Sequence, residues 1–238
     1  MSVIDDPGSA FDLTVPVVVI GGGACGLVAA LSAHDNGAEV IVLERDPVPK
    51  GSTALSSGMI TACGTALQKA ADIDDDTAEL FARDIQSKAG GKADPHLLAA
   101  ICAGSGPAID WLIECHNMDL VLVDGPPYPG HSRQRTHAPP TNSGADLMAD
   151  LLRAVDAAHI DVICNATVKE LIVDGDKVSG VVITRPDGSS ERLGCQTLVL
   201  ASSGFGGNAD MVKSWLPDMA GSIYFGHEGN QGEAVLWG

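Results

Sequence analysis

Gly21, Gly23 and Gly26 stand in a G-x-G-x-x-G spacing, and an acid, Glu44, follows about twenty residues later. These residue types suit the recognition of a diphosphate joined to a ribose. Gly21 lets a strand turn sharply, and Gly23 has no Cβ to keep a pyrophosphate from the backbone. Gly26 lets the following helix pack closely, and that helix offers unpaired N–H groups and a positive dipole end to the phosphates. Glu44 can accept hydrogen bonds from both ribose hydroxyls, and its charge opposes a 2′-phosphate. The alternative is a glycine-rich structural turn. A second group, Tyr128, His131, Arg133, Arg135 and His137, sits in the Pro-rich stretch Gly125–Pro140. Arg offers a two-pronged fork for carboxylates, so this stretch reads either as an anion- or substrate-facing loop or as a surface loop whose arginines pair with nearby Asp.

The elements around the glycines fit the first chemistry. Val17–Ile20 is a short apolar run of β-branched residues, as in a parallel strand buried on both faces. Ala24–Asn36 carries Leu27, Ala30, Leu31 and His34 at helical spacing, with Gly37 placed to end the helix. Val40–Leu43 is a second apolar strand. The result is a β-α-β unit with the acid in register.

The chain has 238 residues, enough for one large α/β domain or two small ones, and 45% hydrophobic content supports a core. A formal charge of −17 argues against nucleic acid as a partner. It argues equally against an anionic membrane surface. No apolar stretch reads as a membrane span. Asp74–Asp76 reads as a solvated helix start and lacks the glycine and glutamate of a Ca²⁺ loop. Six cysteines (Cys25, Cys63, Cys102, Cys115, Cys164 and Cys195) lie far apart with no C-x-x-C pair, which gives no metal site and points to reduced thiols in a cytoplasmic protein. Cys25 reads as a packing residue of the glycine loop. Residues 1–14 are acidic and polar and read as a disordered lead, not a signal peptide.

After Glu44, a gap with Pro47 and Pro49 leads to Gly51-Ser52-Thr53 and then Ser57-Gly58-Met59. A nicotinamide-only Rossmann domain would continue with another strand–helix unit, whereas this small-residue loop is suited to running past a flat ligand. On these residues the chain resembles the flavoprotein subunits of fumarate reductases and succinate dehydrogenases, a family that includes soluble fumarate-reductase-like enzymes and 3-ketosteroid dehydrogenases. A second match lies at Gln196–Gly207, QTLVLASSGFGG, similar to the family's Ala-Thr-Gly-Gly-Phe-Gly-Gly turn with Ser202 and Ser203 in place of Thr and Gly. The Ser203 substitution adds a Cβ where the family's backbone lies near the cofactor. The pattern Gly229-Asn230-Gln231-Gly232-Glu233-Ala234 resembles a segment that opens a helix beneath the cofactor.

The resemblance implies FAD, held non-covalently because no His falls within Gly51–Met59. It implies cofactor contacts from Gly21, Gly23, Ala24, Cys25, Gly26, Glu44, Arg45, Gly51, Ser52, Thr53, Ser57, Gly58, Val168, Ala201, Ser202, Ser203 and Gly204. Ser57-Gly58 would pass the isoalloxazine. The Val168 backbone would contact the adenine, though a strand end there would serve equally as core. The family continues into a capping domain, which carries most catalytic His and Arg residues, and then into a last flavin-binding segment; residues 15–238 are expected to be the FAD-binding part that precedes them. The activity implied is hydride transfer between flavin N5 and an activated C–C bond of a small-molecule substrate, carboxylate or ketosteroid-like, with an electron-transfer partner. A non-catalytic nucleotide-binding module and an NAD-dependent Rossmann dehydrogenase are the alternatives.

The intervening sequence supplies supporting elements. Helices are predicted over Thr77–Gly90, Pro95–His116 (Leu97, Leu98, Ile101, Ile109, Leu112 and Ile113 facing the core), Asn142–Ala158 and Asn208–Trp215. Short strands are predicted at Asp119–Val123 and Asp161–Cys164. A β-meander over Glu170–Val173, Val178–Thr184 and Glu191–Leu193, with turns at Asp174–Asp176 and Pro186–Gly188, precedes a returning strand Leu198–Ala201. The fold class is α/β: a Rossmann-like FAD-binding domain with a parallel sheet and an inserted meander.

Overall fold

The structure, a computed structural model, describes residues 2–8 and 10–238. In chain order its strands are β1 (Ser2–Asp5), β2 (Leu13–Ile20), β3 (Val40–Leu43), β4 (Ile60–Thr61), β5 (Val121–Leu122), β6 (Thr136–Ala138), β7 (Asp161–Ile163), β8 (Thr167–Asp174), β9 (Lys177–Thr184) and β10 (Ser190–Leu200). The helices are α1 (Ala24–Asp35), α2 (Ala66–Ala70), α3 (Ala78–Lys88), α4 (Pro95–His116), α5 (Gly144–Ala157), α6 (Ala209–Trp215) and α7 (Glu233–Trp237). They fall into two units, one of residues 1–55 and 151–238, the other of residues 56–150.

The first unit is built on a seven-stranded sheet in the order β1-β8-β9-β10-β2-β3-β7. The run β10-β2-β3-β7 is parallel, and β8-β9-β10 is the antiparallel meander. All four residues of β3 are buried, as a parallel strand covered on both faces requires. Val15, Val18, Ile20, Ile41, Leu43, Val168, Leu171, Val181 and Leu193 share one core cluster. Helix α1 buries Leu27, Ala30 and Leu31. It stops as its sequence predicts: Gly37 has φ +80 and donates to the His34 carbonyl at 2.8 Å, while Ala38 donates to the Ala33 carbonyl at 3.0 Å.

Two expectations are corrected here. The meander's last strand and the returning strand are one element: the first part of β10 pairs with β9 from Ser190 to Gly194, and its later part pairs with β2 through Leu200. Part of the lead is also an ordered strand, residues 1 and 9 lying outside the described residues. Ser2–Asp5 pairs parallel with Glu170–Val173, because the outer edge of β8 offers free backbone groups. Phe11 lies over Gly180 and Gly194, which face each other across β9 and β10, and a Cβ on either glycine would collide with its ring. An aromatic here covers backbone that two facing glycines leave bare.

The second unit holds the small sheet β4-β6-β5 with α2, α3 and α4. β6 is fully buried, so the Pro-rich stretch is partly a central strand and not wholly a surface loop. Asp94 caps α4 by accepting from His96 and Leu97 N–H, and Asn117 ends it at φ +52. The predicted core stripe of α4 is shifted: Leu98, Cys102, Gly106, Ile109 and Leu112 are buried, whereas Leu97 and Ile101 are exposed. Gly106 sets this rotation, since a Cβ there would overlap the Cys63 carbonyl. α4 is also long and apolar enough, by length and composition alone, to cross a membrane, contrary to the expectation that no stretch is.

Candidate cofactor site

A cavity of about 320 Å³ opens in the first unit beyond the carboxyl ends of the parallel strands β2, β3 and β10. Open α/β sheets bind ligands in this place. At the end of β2, Gly21 (φ +111) lies against the Ala201 carbonyl so closely that a side chain is excluded. Gly26 on α1 packs its Cα onto the Gly21 carbonyl, where a Cβ would overlap. These two glycines build the loop and do not need a ligand to explain them. Gly23 differs: its missing Cβ leaves open space, with only Thr53 Oγ1 at 3.7 Å. Gly23 is the helix N-cap, in extended conformation and without a side-chain cap. Thr53 Oγ1, from the loop after β3, accepts the Ala24 N–H at 3.2 Å.

Glu44 is 8% exposed and is held from two sides. Its Oε2 accepts the Gly22 N–H at 2.8 Å, and its Oε1 accepts the Asp46 N–H at 2.9 Å. A carboxylate offers about four lone-pair sites, so each oxygen keeps capacity for a ribose hydroxyl. Gly22, whose role the motif does not reveal, leaves room for Glu44: a Cβ there would come within 2.9 Å of its Oε2 and 3.1 Å of Pro49 Cβ, and the carboxylate would have to shift.

The segment before α7 forms a further wall. Ser52 Oγ accepts from the His227 N–H and from Asn230 Nδ2, each at 2.9 Å. His227 Nε2 lies 3.1 Å from Asp46 Oδ2, and its Nδ1 accepts the Gly229 N–H at 3.1 Å. The Arg45 guanidinium rests on Gly229 and approaches Glu233 Oε1 at 3.6 Å. Three buried side-chain atoms on lining residues have no hydrogen-bond partner among the described residues: Ser202 Oγ, Glu233 Oε2 and Trp237 Nε1. Buried polar atoms are paired in native proteins, so these three mark places a polar ligand would fill. A donor, an acceptor and a hydroxyl that can be either suit a molecule carrying ribose, phosphate and heterocyclic nitrogen.

Of the residues expected at the cofactor, Gly21, Gly23, Ala24, Cys25, Glu44, Arg45, Gly51, Ser52, Thr53, Val168, Ala201, Ser202 and Ser203 line this cavity. Gly26, Ser57, Gly58 and Gly204 do not. Gly58 belongs to the second unit, where its φ of +67 and the Ser143 carbonyl already account for glycine. Asp46, Ala166, Thr167, His227 and Trp237 line the cavity with no cofactor contact expected of them, and Asn230 and Glu233 join them from the segment expected beneath the cofactor. The Gly-Asn-Gln-Gly-Glu-Ala pattern was the available signal for the last of these, but it marks a segment and not which side chains turn inward.

The second unit accounts for the other candidate group. Arg135 is fully buried and forms a bidentate pair with Asp76, with Nη2 to Oδ1 at 2.6 Å and Nε to Oδ2 at 2.8 Å. Its Nη1 donates to Asp84 Oδ2 at 2.6 Å, and its guanidinium carbon sits 4.6 Å from the Phe81 ring centre. Gln68, also buried, donates to Asp76 at 2.7 Å. Arg133 pairs with Asp75. His137 sits in the middle strand of the small sheet, with Nε2 2.9 Å from Thr65 Oγ1 and Nδ1 2.9 Å from the Arg135 carbonyl; burial pushes its pKa down. Burial and the Arg135 charge likewise lower His131, and Tyr128 is exposed. Of the two readings open for the arginines, the structure supports pairing with Asp. The expected solvated helix start is corrected with it: Asp76 is buried because it neutralises Arg135.

A parallel sheet with a meander, a glycine loop at its switch point and an acid at the end of the second strand define a dinucleotide-binding flavoprotein fold. The comparisons with known proteins make this specific. The family described as FAD binding domain matches residues 16–235, and the chain belongs to that family. It is 33% identical over 221 residues to an NADH:fumarate oxidoreductase of Klebsiella pneumoniae, covering 92% of this chain and 24% of that protein. The fold matches the open conformation of a flavocytochrome c3 fumarate reductase with a TM-score of 0.88 at 29% identity, over 95% of this chain and 40% of the other. It matches a 3-ketosteroid-Δ4-(5α)-dehydrogenase from Rhodococcus jostii with a TM-score of 0.82 at 25% identity, over 97% of this chain and 54% of the other. The chain thus spans well under two thirds of each. FAD is the cofactor of this domain, and the domain is of the fumarate-reductase type.

Proposed function

We propose that the chain provides the FAD-holding part of an oxidoreductase that reduces or forms a C–C double bond next to a carboxylate or carbonyl, as the names of its relatives suggest. The observation that carries the reading is the cavity at the ends of β2, β3 and β10, with its open Gly23 cradle and three orphaned polar atoms. In it the N–H groups at the start of α1 and the Thr53 hydroxyl would hold the pyrophosphate, and Glu44 would accept from the ribose. The Val168 backbone would hold the adenine, and Ala201–Ser203 would line the cofactor from the end of β10. Bound FAD supplies hydride transfer at N5; the residues here orient it and keep water from its adenosine half. Attachment is non-covalent: Gly51–Met59 holds no histidine, and both ring nitrogens of the cavity's His227 are already engaged.

Titrating the purified chain with FAD and following the flavin absorption bands tests the cofactor. Acid precipitation should leave all flavin in the supernatant, and flavin retained in the pellet would refute non-covalent attachment. A second reading, a nucleotide-binding module without catalysis, is favoured by the internal pairing of Arg133 and Arg135. Turnover of fumarate or a ketosteroid with an artificial electron carrier separates the two.

A further inference from the structure

We propose that Trp237 forms one face of the adenosine end of this site, its indole stacked on the adenine with Nε1–H donated to the ligand. The inference rests on the FAD reading above. Trp237 lines the cavity together with Ala166, Thr167 and Val168, and packs on the core cluster that includes Ala166 and Val168. Ala166 donates its N–H to the Glu44 carbonyl at 2.9 Å, so this wall adjoins the ribose acid. An indole combines a flat apolar face with a single donor. Here the ring is anchored on the core of the sheet. The donor is shut away from solvent without a partner among the described residues. A buried N–H left so costs free energy that a bound acceptor recovers. The adenosine end supplies both halves of the match: adenine has a π-face, and the ribose and phosphate beside it carry oxygens that accept.

The test uses ADP and riboflavin, the two halves of the cofactor, with binding followed by calorimetry and by tryptophan emission. In a Trp111→Phe/Trp215→Phe variant Trp237 is the sole emitter; Trp215 is exposed and Trp111 lies edge-on to His116, so neither replacement touches the cavity. ADP should change its emission along the calorimetric binding curve, and riboflavin should not. In Trp237→Phe with the other tryptophans intact, ADP should still bind but leave emission unchanged. Trp237→Ala should weaken ADP by on the order of tenfold or more, the range that base–aromatic stacking supplies. ADP binding without a change in Trp237 emission, or a response to riboflavin alone, would overturn the placement. An emission change that persists in Trp237→Phe would do so too. Absence of any ADP binding by calorimetry would instead remove the nucleotide site, and the proposal with it.

Discussion

Glu44 carries two duties, and the substitution that tests one must respect the other. Its carboxylate accepts backbone N–H groups from Gly22 and Asp46, so it braces the glycine loop even before ribose is counted. Glu44→Ala should weaken FAD by about 2–4 kcal/mol, the loss of two charge-assisted hydrogen bonds. Unchanged affinity in titration calorimetry would reject the ribose role. Ser203 makes a different test. It stands at φ +64, a left-handed conformation that costs a residue with a Cβ about 1–2 kcal/mol. Ser203→Gly should therefore stabilise the chain by about 1 kcal/mol in urea unfolding. No gain, or a loss, would show that the hydroxyl or the reduced unfolded-state entropy of serine offsets the strain. The identity of Glu44 was legible from spacing alone. The crowding at position 22 was not, because it comes from where a side chain 22 residues on is folded back.

At the scale of elements, the Arg135 cluster fastens β6, α3 and the turn before α3 inside the second unit. Removing one member of a buried ion pair leaves an uncompensated charge, typically a loss of about 3–5 kcal/mol. Arg135→Ala should destabilise this unit by that amount, whereas Arg133→Ala, at a solvent-screened pair, should cost far less. Differential scanning calorimetry of the two variants checks the contrast, and equal costs would mean that Arg135 is not the fastener. The cluster also predicts a pH dependence. Burial pushes the Asp84 carboxyl up, but the Ser132 N–H and hydroxyl together with Arg135 outweigh it and hold its pKa at about 2. A depressed pKa adds stability that is present above the unfolded value near 4 and is lost as pH falls toward 2. The stability difference between the wild type and Asp84→Asn should accordingly shrink between about pH 4 and pH 2. A difference that is constant across that window would exclude the carboxylate as its source.

For the whole molecule, the sheet gathers the ends of β2, β3 and β10 at one cavity, while the arginines expected to meet a substrate are spent within the second unit. Between Trp215 and Phe225 the first unit also exposes several large apolar side chains: Trp215, Leu216, Met219, Ile223 at 80% and Phe225 at 84%. Exposed apolar clusters of this kind mark surfaces that other protein covers. A cofactor whose surroundings are wet loses the electrostatic advantage of a closed site. The 238-residue chain alone should bind FAD yet show negligible turnover with fumarate, succinate or a ketosteroid. Sustained turnover in a dye-linked assay would show that these residues complete a catalytic site by themselves.

The sequence by itself determined what depends on neighbours along the chain. The apolar run Val17–Ile20, the glycine spacing, the Gly37 stop and the alternation of the meander are local patterns, and each maps onto an observed element. Glu44 belongs with them, since a β-α-β unit fixes the distance from loop to acid. Tertiary structure alone decided the rest. Arg135 and Asp76 lie 59 residues apart, and nothing in either local sequence says that one neutralises the other, so a candidate anion site proved to be a buried pin. Phe11 reads as part of a polar lead until two facing glycines are seen to need an aromatic over them. Trp237 follows a helix-opening pattern, yet only the packing of α7 turns its indole toward the cavity. Long-range burial decides between contacts of equal local merit, because the energy of an ion pair or a ring depends on what else is removed from water around it.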